Sequence, residues 1–127
     1  MTPERTEQQL DHLWVHICAN RWQDARNDEE YPAPPDVAAD VAVKEADGAT
    51  QQVEKQSSVA ARRGDISPAS ADQQLDELWT LVCASKYFRC RCEGMRMPDA
   101  AAAAVEEADT ARMHVSRRPS VHARLAK

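Results

Sequence analysis

The chain has 127 residues, a net charge of −5 and 43% hydrophobic residues, but 22 residues are alanine, and Leu, Ile, Val and Phe together supply only 19. So little large apolar surface leans toward disorder, because little burial is available to offset chain entropy, and alanine favours helix while burying little area. No run of apolar residues is long enough for a membrane-spanning helix, and the length fits one domain, or two small halves that share a core.

The opening MTPERTEQQLD lacks the apolar core of a signal peptide and carries the acids that transit sequences avoid, so a cytoplasmic location is expected. In a reducing compartment the four cysteines are expected as free thiols. Within the first segment Leu10, Leu13, Trp14, Ile17 and Cys18 recur at i, i+3, i+4, i+7 and i+8, the stripe of an amphipathic helix. Thr2-Pro3 supplies a capping residue followed by proline at the first helical position, and the helix must stop before Pro32 in YPAPP. A second helix opens at Pro35-Asp36, with an acid in its first turn and alanines that admit close neighbours. Residues 50–66 read as a polar joint.

The pattern then repeats. Residues 2–22 align without gaps on residues 67–87 with nine identities, among them Leu10/Leu75, Leu13/Leu78, Trp14/Trp79 and Cys18/Cys83. The second stripe is Leu75, Leu78, Trp79, Val82 and Cys83, started by Ser67-Pro68 and ended by Gly94, a favoured C-terminal cap. PDVAADVAVKEADGA at 35–49 then matches PDAAAAAVEEADTA at 98–111 once one residue is deleted. Arg112, Arg117, Arg118, Arg124 and Lys127 close the chain with no acid among residues 112–127, leaving an acidic body with a basic tail.

The pattern predicts an all-α fold: a tandem duplicated αα-hairpin of four bundle-like helices, with a flexible joint and a basic C-terminal tail. The units are residues 2–49, a linker at 50–66, residues 67–113 and the tail at 114–127. The simplest arrangement is a pseudo-twofold bundle with Trp14 and Trp79 at equivalent places in a shared core.

Candidate chemistry is sparse. Cys83, Cys90 and Cys92, flanked by Arg89 and Arg91, invite a metal or redox reading, but the spacing matches no standard zinc motif. His12 and His16 stand at i and i+4, a two-ligand spacing, yet on the side opposite the stripe and with no third ligand. Leu81, at the position matching His16, is an apolar side chain off the main stripe and marks either a partner surface or a wider stripe. Arg63-Gly64-Asp65 is an adhesion tripeptide out of its extracellular context, and Ser120 follows two arginines in a pattern that basophilic kinases accept. The tail could touch phosphates, but no aromatic residues stand within it to stack bases; an accessory arm docking on the acidic stretch of another copy fits better. There is no phosphate loop, nucleophile elbow or metalloprotease motif. The expectation is therefore a non-enzymatic interaction module or small subunit of a larger assembly, without cofactor or membrane contact. Its partner is another protein or a second copy, bound through Leu10, Leu13, Trp14, Ile17, Cys18 and their counterparts with Leu81. The alternative is a metal or redox protein built on Cys83, Cys90 and Cys92.

Overall fold

The computed structural model describes residues 3–57, 59 and 71–126, none of them in a strand. The helices are α1 (Pro3–Arg26), α2 (Pro35–Glu54), α3 (Ala71–Cys92), α4 (Met97–Ser116) and α5 (Pro119–Leu125). The first four pack as two hairpins, α1 on α2 and α3 on α4.

Local chemistry sets the breaks. After α1, the Asp28 carboxylate accepts the backbone N–H groups of Glu30 and Tyr31 at 3.0 and 2.8 Å. That is an Asx turn ahead of the prolines, and it holds the carboxyl below its ordinary value. Pro35 and Asp36 then open α2. At the other hairpin Gly94 sits at φ 91°, where a side chain would strain the backbone, and the N–H of Met95 returns to the carbonyl of Cys90. α2 runs five residues into the segment read as a joint, through Gly48, because nothing in ATQQVE interrupts a helix. The remainder of the joint, the Ser67-Pro68 start and Arg63-Gly64-Asp65 lie outside the described residues, as does Thr2.

Alanine faces define the hairpins. Ala38, Ala39, Ala42 and Ala46 are buried on α2, as are Ala100, Ala104, Ala108 and Ala111 on α4. Methyl-sized side chains let Leu10, Trp14 and Cys18 of α1, and Leu75 and Leu78 of α3, sink fully beneath the surface. In both hairpins the tryptophan indole N–H donates to an aspartate on the partner helix: Trp14 to Asp47 at 2.7 Å and Trp79 to Asp109 at 2.8 Å. The two aspartates occupy matching places in the repeat, KEADGA and EEADTA.

The hairpins are not related by a twofold axis, as the sequence suggested; they stack in parallel. Gln74 Nε2 donates to Asp11 at 3.1 Å, His12 pairs with Glu77, and Gln23 Nε2 donates to the carbonyl of Val82 at 3.4 Å. Residue numbers rise together along α1 and α3, so the two helices run the same way, and α2 likewise lies on α4. In such a stack each unit offers one face to its neighbour and receives on the other. The first hairpin buries Val15, Ala19 and Trp22, whereas their counterparts Thr80 and Ala84 are exposed and Tyr87 is only partly covered. Conversely α3 buries Ala71, Gln74, Leu78 and Val82, while Gln9 is exposed and Leu13 and Ile17 are half-buried.

The stack is closed by one carboxylate. Glu107 of α4 accepts the Trp22 indole N–H at 2.9 Å and a two-pronged contact from Arg26, at 3.0 Å from Nε and 3.1 Å from Nη2. Burial alone would raise the Glu107 carboxyl, but the hydrogen bonds and charge of Arg26, with the Trp22 bond, outweigh it and hold the group below its ordinary value.

Two outcomes are expected. Trp14 is 3% exposed and Trp79 only partly buried, so Trp14→Ala should cost about 3–5 kcal/mol and Trp79→Ala about 1–2 kcal/mol, since less surface is uncovered by its loss; denaturant unfolding monitored by circular dichroism measures both. A carboxyl lowered by folding contributes stability that is present above its unfolded value of 4.5 and lost as pH falls through the folded one. Glu107→Gln should therefore be less stable than wild type at neutral pH, by about 1–3 kcal/mol, and show a flatter loss of stability on acidification.

Candidate interaction surface

The basic C-terminal segment forms an element of the body. α4 continues to Ser116, and α5 follows after Arg117 and Arg118. Val121 is buried at 1% exposure. Arg118 pairs with Asp40 at 3.2 Å, Ser120 Oγ donates to Asp47 Oδ2 at 2.7 Å, Arg124 donates to the Gln74 side chain, and Arg112 pairs with Asp76. The Arg124 guanidinium lies 5.1 Å from the centre of the Trp14 ring, a cation–π contact. The basic segment thus docks on acidic residues of its own chain, Asp40 and Asp47. Phosphate on Ser120 would face the Asp47 carboxylate and oppose α5 docking.

A sequence signal for α5 exists outside the two stripes. Ser120, Val121, Ala123 and Arg124 follow Ser58, Val59, Ala61 and Arg62 by 62 positions, the offset that also relates Asp47 to Asp109. The repeated unit therefore includes a third segment, which reading by composition alone assigns to joint and tail.

The stripe residues are largely consumed by internal packing. Leu10, Trp14, Cys18, Leu75, Leu78 and Val82 are buried, Ile17, Trp79, Leu81 and Cys83 are partly buried against the core, and Leu13 is half-buried. Leu81 belongs to the wider stripe of the second copy, because α3 packs on α1 as well as on α4.

Apolar surface remains where the stack ends. Between α3 and α4 lies a groove of about 370 Å³ walled by Trp79, Cys83, Tyr87, Phe88, Ala101 and Val105, almost without polar surface. Phe88 is 67% and Val105 42% exposed, and the Tyr87 and Phe88 rings meet edge to face at 5.8 Å. Stripe counting passes over Tyr87, Phe88 and Val105; the repeat marks two of them, since it sets Tyr87 against the wholly buried Trp22 and Val105 against the buried Val43, whereas Phe88 matches the polar Gln23.

The thiols do not assemble. Cys18 and Cys90 are buried, Cys83 is intermediate and Cys92 exposed, all free. Cys90 and Cys92 stand two positions apart on a helix and therefore face different ways. Among the described residues no three His, Cys, Asp or Glu side chains come together as a ligand set. His12 engages Glu77, and His16 is exposed. Burial pushes the Cys18 thiol up to about 12, with Asp47 adding and Arg124 opposing, so it stays protonated and unreactive at neutral pH. No described helix is long and apolar enough to cross a membrane.

Alkylation of the native protein at neutral pH should label Cys92 first and leave Cys18 and Cys90 unmodified until denaturant is added; mass mapping of the labelled peptides reads the order. Comparison with protein-family models, with curated proteins and with solved structures finds no match to this chain.

Proposed function

We propose that this protein is a non-catalytic helical interaction module, a small subunit of a larger cytoplasmic assembly, and that it makes its contact through the α3–α4 groove. The observation that carries this reading is the continuous apolar wall of Trp79, Tyr87, Phe88 and Val105 on a chain otherwise poor in large apolar side chains. Exposed contiguous apolar surface marks contact sites, and aromatic side chains are the favoured anchors of interfaces. Of the stripe residues expected from sequence to bind a partner, Leu10, Trp14, Cys18, Leu75, Leu78 and Val82 are buried in the core, whereas Trp79 and Cys83 line the groove, which supports a contact at the unit's outer face. Among the described residues no cluster of three His, Cys, Asp or Glu side chains favours the metal alternative.

The test is a photo-crosslinking benzoylphenylalanine at position 88, irradiated in cells. Discrete protein adducts are expected there, and none from the same group at Glu29, an exposed position in the α1–α2 turn. Absence of adducts at position 88 would remove the reading.

A further inference from the structure

The two ends of the stack are complementary to each other in the way that the two hairpins are. At the internal seam the first hairpin offers Asp11 and Arg26, and the second answers with Gln74 and Glu107. By the repeat, the counterparts of Asp11 and Arg26 are Asp76 and Arg91, both exposed on the groove side of the second hairpin. The counterparts of Gln74 and Glu107 are Gln9 and Glu45, both exposed on the outer side of the first. All four residue types are retained at the ends, although none of the four meets a seam partner within the chain. Arg91 is also held as Arg26 is: each donates Nη1 to a carbonyl of its own turn, Arg26 to Ala33 at 3.1 Å and Arg91 to Met95 at 3.0 Å. Arg26 is thereby aimed across the seam at Glu107. Asp76 also takes Arg112, as a carboxylate with two oxygens can.

The apolar surfaces follow the same rule. The face of the first hairpin that receives the second contains Val15, Ala19 and Trp22 with Val43 of α2, and all are buried. Its counterpart is the groove, with Thr80, Ala84, Tyr87 and Val105. The face that would enter it carries Leu13 and Ile17, half-buried counterparts of Leu78 and Val82. In sequence, the same copy also carries Ser58, Val59, Ala61 and Arg62, the match to the segment that covers Trp14.

We propose that the α3–α4 groove takes the first hairpin of a second copy of this chain, laid in parallel as the second hairpin lies on the first, so that copies associate head to tail. This rests on the groove being a contact surface and names its occupant. The interface is heterologous: one copy gives Arg91 and Phe88, the next gives Glu45 and Gln9, and each added copy leaves a groove open for another.

The test is solution mass by sedimentation over a concentration series for wild type, Phe88→Glu and Glu45→Arg, each altered at an exposed position and checked for native helix content by circular dichroism. Wild type should rise above monomer mass with concentration, and each variant alone should remain monomeric. Mixed in equal amounts, the two should form a dimer of one copy each that grows no further, because Phe88→Glu keeps an intact first hairpin and Glu45→Arg an intact groove. Arg91→Glu should likewise be monomeric alone and recover association with Glu45→Arg. A wild type that stays monomeric at millimolar concentration overturns the proposal. So does association that survives either variant, or that mixing fails to restore. Adducts at position 88 with some other protein, together with a monomeric wild type, would leave the interaction module standing and remove self-association alone.

Discussion

Glu107 is one carboxylate with two oxygens, and it holds the orientation of the whole stack. Its side chain is only 11% exposed, so the charge is stable there only because Arg26 and Trp22 deliver three N–H groups to it. Arg26 is 27% exposed, and its ring-facing side lies 5.8 Å from the centre of Trp22. Sliding one hairpin along the other by a helical turn, or inverting it, would strand a buried carboxylate facing apolar surface. Parallel packing in one register is the arrangement that avoids this, and the Gln74–Asp11 pair repeats the constraint nearer the other end.

Most of the secondary structure was legible from residues alone. Pro35-Asp36, the prolines near residue 32, Gly94 and the spacing of Leu, Trp and Cys each act within a turn or two, so their consequences are visible locally. The hairpins followed from duplication. What could not be read is how the hairpins meet, because two such stripes suit either a twofold or a parallel stack. The distinction rests on Val15, Ala19 and Trp22, which lie beside the stripe, and on a pairing of Arg26 with Glu107 across 81 positions of chain. No local pattern announces such a pair.

The apolar groove is hidden from local pattern for the same reason. A stripe marks what is apolar and periodic, and in a stacked repeat that is the inside of each unit. The outer face of the last unit is apolar only by inheritance from an inner one. Comparing the copies position by position exposes it, since Trp22 is buried where Tyr87 lines a groove. Likewise the third segment carries no local signal, because Ser, Ala and Arg resemble linker and tail until the two copies are aligned.

The alanine faces of α2 and α4 have a thermodynamic consequence. A core of methyl groups closes helices tightly but hides little hydrocarbon per residue, and the heat capacity of unfolding follows the apolar area newly wetted. A smaller heat capacity of unfolding flattens the stability curve, so that stability declines more slowly on both warming and cooling. The breadth of that curve follows from how little apolar surface unfolding wets, and it does not depend on a large maximum in stability.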